Sequence, residues 1–152
     1  GLYQDADAAV GYLCSRSDVD MTKLIVFGRS LGSAVAVETA KRYGAYSLVL
    51  ESPLTSIKEM VREVYPFFPG WILLRSRFDS LSKIAGLGIP TLILHGERDE
   101  IVPFHMGRKL FETATGYKKI VVLGNGIHNA SHLDDDSNYF NAIKGFLNDI
   151  PK

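Results

Sequence analysis

The chain has a single cysteine in 152 residues, no excess of charge of either sign, and no long apolar run. Each shortage excludes something. Cys14 alone can form no intrachain disulfide, which favours a reducing compartment, and without a glycine turn around it we read it as a helix-face residue. Lysine and arginine (17) balance aspartate and glutamate (17), so there is no electrostatic footprint for nucleic acid or an anionic membrane surface. Apolar runs such as Trp71 to Leu74 fall far short of the roughly 20 residues that cross a bilayer. Nothing near Gly1 combines a basic start with an apolar segment, as a signal peptide would. With 46% apolar residues, the chain is one globular domain's worth of material, long enough to bury a core.

What is present is organised around Leu24-Ile-Val-Phe-Gly28-Arg-Ser30-Leu-Gly32-Ser-Ala34. An apolar strand runs into Gly-x-Ser-x-Gly, and a small-residue helix leads away. In that setting the pattern is a nucleophile elbow, with Ser30 at the tip of a strained turn. A Cβ at Gly28 or Gly32 is expected to collide across so tight a turn. The backbone N–H of Leu31, at the start of the helix, is placed to donate to an oxyanion.

The rest of the chain alternates helix and strand. Residues 3–15 read as a helix with Asp5 and Asp7 in its first turn, followed by Ala9, Tyr12 and Leu13 at helical spacing. The first strand, 24–27, is apolar on both faces, which predicts a sheet covered on both sides. The helix after it runs to about Arg42 and stops at Gly44. Strands follow at 47–51, 90–95 and 119–123. Pro103 opens a helix as its first residue, reaching about Thr113, and a last helix ends near Asn148. Between Pro53 and Ile84 the texture changes. Ser56 to Glu59 resembles a capping box before a stripe of Ile57, Met60, Val61, Val64 and Tyr65. Phe67, Phe68 and Trp71 then cluster around two prolines. This segment, 53–84, reads either as core beneath a loop or as a cap contacting an apolar substrate. Such alternation implies a parallel α/β sheet of about four strands, whose sites collect at the strand C-termini.

Three residues follow strand ends directly: Ser30, Asp99 and His128. A serine hydroxyl needs a base to take its proton, and the imidazole base needs a carboxylate to hold its tautomer. Their order along the chain is the one that α/β-hydrolases use. Glu97 and Glu100 compete with Asp99 for the acid, and His132 with His128 for the base; His95 and His105 read as structural or solvent-facing. His128-x-x-x-His132 before three aspartates lacks the glutamate of His-Glu-x-x-His and does not match an EF-hand loop. The aspartates read as the charge complement of a helix N-terminus, and no metal or cofactor is expected.

The residues Gly1-Leu-Tyr-Gln-Asp-Ala-Asp-Ala-Ala, Phe27-Gly-Arg-Ser-Leu-Gly-Ser-Ala-Val-Ala, Glu51-Ser-Pro-Leu-Thr-Ser-Ile, His95-Gly-Glu-Arg-Asp-Glu-Ile-Val-Pro and Gly126-Ile-His-Asn resemble the Bem46-like branch of the α/β-hydrolases. The resemblance spans nearly the whole chain. It implies Ser30 as nucleophile, Asp99 as acid and His128 as base. Ala130 stands where many relatives have an acidic residue. The family fold also has strands before the elbow, with a His-Gly-type loop supplying a second oxyanion donor. The sequence therefore resembles the C-terminal half to two-thirds of such a fold, beginning before the elbow. Its first strand is expected to present an unpaired edge, and these 152 residues alone to be poorly soluble or inactive. The expected activity is hydrolysis of carboxylic esters or acyl thioesters on a small-molecule or lipid-like acyl substrate. The alternatives are an aminopeptidase-like amide hydrolase and a catalytically silent interaction module. Localisation stays open between the cytoplasm and membrane association through a segment upstream of residue 1.

Overall fold

A computed structural model of the chain describes residues 1–64, 66–67, 78–124, 128 and 136–151. The elements in order are α1 (Leu2–Cys14), a 3₁₀ turn (Met21–Lys23), β1 (Ile25–Arg29), α2 (Leu31–Tyr43), β2 (Ser47–Glu51), α3 (Ile57–Val64), α4 (Leu81–Ile84), β3 (Thr91–Gly96), α5 (Phe104–Thr113), β4 (Lys118–Leu123) and α6 (Asp136–Asp149). The strands form one parallel sheet in the order β1-β2-β3-β4.

Side-chain alternation sorts the core into two layers. Leu48, Leu50 and Ile93 meet Val37 and Ala40 of α2, Ile84 of α4 and Leu110 of α5 on one side. Val49, Leu92 and Leu94 meet Tyr139, Phe146 and Ile150 on the other, beneath α6. The two central strands are buried at every position, as strands covered on both faces must be. α1 packs on α2, with the Arg42 guanidinium 2.8 Å from the Asp7 carboxylate.

Several expectations need correction. β1 starts and ends later than expected, because Leu24 closes the 3₁₀ turn while Gly28 and Arg29 continue the ladder opposite Leu50 and Glu51. It is not covered on both faces: Ile25 is 43% and Phe27 50% exposed, since β1 is the sheet edge and both residues lie on the side that α6 covers farther along. A groove of about 550 Å³ runs along this edge between α1 and α2. Tyr12 points outward from α1, which buries Val10 instead. Pro103 is the residue before α5 rather than its first: its ψ of 134° is extended, and its carbonyl accepts the Met106 N–H at 2.9 Å. The four-residue α4 was not expected at all.

Gly44 ends α2 in the left-handed conformation (φ 68°), as expected of a C-terminal stop. Half of the capping box forms, the Glu59 N–H donating to Ser56 Oγ at 3.0 Å; the Glu59 carboxylate turns instead to Thr55 and Lys109. Both ends of segment 53–84 are core. Ile57 and Met60 pack on Ala34, Val102 and Met106, and Ile84 is buried. Phe67 is fully exposed in a turn after α3, whereas Tyr65, Phe68 and Trp71 lie outside the described residues. No helix among the described residues is long and apolar enough to cross a membrane.

Candidate active site

Ser30 links β1 to α2 with φ 50° and ψ −123°, a conformation that non-glycine residues rarely adopt. It is held from both sides. The Ser30 N–H donates to the Glu51 carbonyl at 2.9 Å, and the Ser30 carbonyl accepts from the Ser33 N–H at 2.9 Å. Gly28 is required here: a Cβ on it would lie 2.5 Å from the Ala36 Cβ and 2.5 Å from the Gly32 carbonyl oxygen. Gly32 is not. Its Cβ would meet nothing within 4 Å, because the position faces the open groove, so the expected collision there does not exist. Leu31 opens α2, where a backbone N–H has no acceptor inside the helix.

Asp99 sits in the turn after β3. Its Oδ1 accepts the N–H groups of Ile101 (3.0 Å) and Val102 (2.8 Å), which fix the carboxylate. His128 Nδ1 lies 3.0 Å from Oδ1 and 2.9 Å from Oδ2, in a buried contact. Burial would raise the Asp99 carboxyl, but the Ser52 hydroxyl, the His128 ring and the two N–H groups together hold it below its ordinary value. An ionised carboxylate only accepts hydrogen bonds, so the neutral imidazole carries its proton on Nδ1 and leaves Nε2 as the basic nitrogen.

The rival residues separate cleanly. Glu100 takes the His128 backbone N–H at 3.1 Å rather than its ring. Glu97 is exposed. His95 is fully buried beneath the site, its Nε2–H donating to the Val102 carbonyl at 2.9 Å, with Phe104 edge-on at 5.5 Å. His105 is exposed on the outer face of α5, 3.6 Å from Glu63. His132 lies outside the described residues. Among the described residues no three of His, Cys, Asp and Glu gather into a metal-binding cluster.

Sequence reasoning missed a set of polar residues around His128, of which Glu51 and Tyr139 are buried. Arg29 donates from its guanidinium to the His128 carbonyl. Its Nε is 3.3 Å from Glu51 Oε1, and Glu51 Oε2 accepts the Tyr139 hydroxyl at 2.9 Å. A signal was available: Glu51 is an acid closing a strand buried at every residue, and such a charge needs a partner.

A parallel sheet with a strained serine at the first strand–helix turn, and an Asp–His pair from loops after later strands, defines an α/β-hydrolase fold. No family model matches the chain. Solved structures share the fold: a Pyrococcus furiosus esterase (TM-score 0.74, 17% identity, 97% of this chain and 61% of that one) and the esterase domain of a Rhodothermus marinus protein (TM-score 0.72, 19% identity, 95% and 66%). Relatives by sequence are nearer. Protein bem46 of Schizosaccharomyces pombe is 39% identical over 161 residues, covering 99% of this chain and 52% of that protein. An uncharacterized protein of Mycobacterium tuberculosis is 39% identical over 147 residues (97% and 52%). The alpha/beta hydrolase domain-containing protein WAV2 of Arabidopsis thaliana is 32% identical over 166 residues (97% and 54%). The homologues of this chain thus include Bem46 and an α/β-hydrolase domain-containing protein, and along nearly its whole length it is similar to the Bem46-like α/β-hydrolases. It spans about half the length of the curated relatives it matches.

Proposed function

We propose that this chain carries the nucleophile, acid and base of a serine hydrolase acting on carboxylic esters or acyl thioesters. Ser30 Oγ attacks the acyl carbon as its proton passes to His128 Nε2. The carbonyl oxygen becomes an oxyanion facing the Leu31 N–H. Collapse expels the alkoxide or thiolate, which takes the proton from His128, and leaves an ester on Ser30. Water then attacks that ester by the same route and regenerates the serine. Asp99 keeps the imidazole in the required tautomer and balances the charge that forms on it. The aromatic segment of Phe67, Phe68 and Trp71 is the proposed contact for the acyl chain.

One observation carries this reading: the buried Asp99–His128 pair is fastened, through Arg29, to the strand end that presents Ser30 in its strained conformation. The fold neighbours named as esterases favour ester over amide substrates. A fluorophosphonate probe at about pH 8, where a histidine base is neutral, should label the protein at Ser30, and Ser30→Ala should abolish the label. An unlabelled folded protein refutes the proposal. Comparing p-nitrophenyl acyl esters with amino-acid anilides separates esterase from aminopeptidase-like turnover.

A further inference from the structure

We propose that Arg29 is a positioning residue for the base: the chain Tyr139–Glu51–Arg29, anchored on the buried Glu51, holds the His128 carbonyl and so sets where the imidazole meets Ser30. The inference rests on the hydrolase reading above and assigns a task to residues that reading does not use.

The contacts of His128 argue for it. Among the described residues His128 is held at three points: ring Nδ1 by Asp99, backbone N–H by Glu100 at 3.1 Å, and carbonyl by Arg29. Two of these anchors belong to the loop after β3, so they fix His128 relative to Asp99 alone. Of the three, Arg29 belongs to the nucleophile's own strand. A triad needs the base placed against the hydroxyl as well as the acid, and Arg29, adjacent to Ser30, supplies that reference.

The guanidinium must itself be fixed to act so. The β1–β2 register sets Arg29 opposite Glu51, whose side chain is 4% exposed. Glu51 cannot swing away, because Oε2 accepts the hydroxyl of Tyr139 on α6 and its own backbone carbonyl accepts the Ser30 N–H. One residue, Glu51, therefore holds the nucleophile through its main chain and the base's tether through its side chain.

The test compares Arg29→Met, Arg29→Lys and Tyr139→Phe in the intact protein. It reads thermal melting, kcat and KM on a p-nitrophenyl ester, and the downfield proton resonance of the His128 Nδ1–H. Arg29→Met should keep a cooperative melt and its KM while kcat falls on the order of 10²-fold, the scale of a misplacement of about 1 Å. The Nδ1–H resonance should broaden through exchange with water. Arg29→Lys, which restores a cationic donor, should regain about tenfold in kcat. The proposal is overturned if Arg29→Met keeps wild-type kcat and a sharp resonance, or if its loss follows the folded fraction and lysine does no better. Should Arg29→Met fail to fold, Tyr139→Phe decides: a fall of about tenfold in kcat at constant KM supports the tether, and an unchanged kcat overturns it. A wild-type protein that the fluorophosphonate leaves unlabelled refutes the hydrolase reading by itself, while the resonance comparison still tests the tether.

Discussion

The two glycines of the elbow should respond oppositely to the same change. An alanine at Gly28 places its Cβ 2.5 Å from the Ala36 Cβ, 2.5 Å from the Gly32 carbonyl oxygen and 2.9 Å from the Gly32 carbonyl carbon. Carbon atoms in favourable contact sit about 3.5–4.0 Å apart, so the overlap is about 1 Å. None of these neighbours ends a flexible side chain. Relief requires α2 to move off β1 by that amount, at the upper end of overpacking costs, about 3 kcal/mol. For a domain of this size that lowers Tm by roughly 6–12 °C. The shift also displaces Leu31 and Ser30, and a misplacement of about 1 Å costs on the order of 10²-fold in rate. Gly32→Ala adds its methyl group toward the open groove and replaces a poor helix former with the best one, a gain of up to about 1 kcal/mol. Urea denaturation and the rate of fluorophosphonate labelling read both effects. Gly28→Ala should fall in both, and Gly32→Ala should match wild type or exceed it in stability. Equal damage from the two substitutions, or a Gly28→Ala protein with wild-type midpoint and labelling, would refute the steric argument.

Two further outcomes follow from the buried acid and the buried imidazole. Asp99→Asn preserves an acceptor for the Ile101 and Val102 N–H groups but presents an amide to His128, so the ring is held in the wrong tautomer; kcat should fall by about 10⁴ with the fold intact. Asp99 also stabilises the fold above its ordinary pKa of 3.8 and ceases to as the pH falls through its lower folded value, so the variant's acid denaturation, followed by circular dichroism, should be shallower. Burial keeps the His95 imidazole below its ordinary value of 6.5, against the opposing pull of Val102 and Asp99, with His128 and His105 adding to the depression. The unfolded chain then takes up a proton that the folded chain resists, and stability drops as the pH falls below 6.5. His95→Gln should lose less urea midpoint than wild type between about pH 7.5 and about pH 5.5. An identical midpoint change in the two proteins would remove His95 from the account.

What was legible in the sequence is what local pattern determines. The strand from Ser47 to Glu51 reads directly from its residues, and Gly44 marks the end of α2 because only a residue without Cβ enters the left-handed region freely. The places of Asp99 and His128 could be read because a parallel sheet delivers whatever follows its strands to one rim. Boundaries were less legible where a neighbour decides them. Gly28 and Arg29 belong to β1 because β2 offers Leu50 and Glu51 as partners, a fact that no local propensity encodes. The openness of β1 was hidden for the same reason. Ile25 and Phe27 look like core residues in sequence, but their exposure depends on how far α6 reaches across the sheet.

The network of Tyr139, Glu51, Arg29 and His128 shows most clearly where pattern reading ends. Tyr139 lies 88 residues from Glu51, and His128 lies 99 from Arg29, so no helical or strand period connects them. Register connects them, since a parallel pairing one residue out of step would turn Glu51 to the α2 face and leave Arg29 facing an apolar neighbour. The same pairing sets the Glu51 carbonyl against the Ser30 N–H. An error in β1–β2 register would therefore disturb the Ser30 backbone and the Arg29–His128 contact together, with the buried Glu51 carboxylate left without its cation, which is costly. The residues that align the proposed chemistry are thus also the ones that penalise a misregistered sheet, and a charge at the end of an otherwise apolar buried strand performs both tasks because both depend on a single alignment of the two strands.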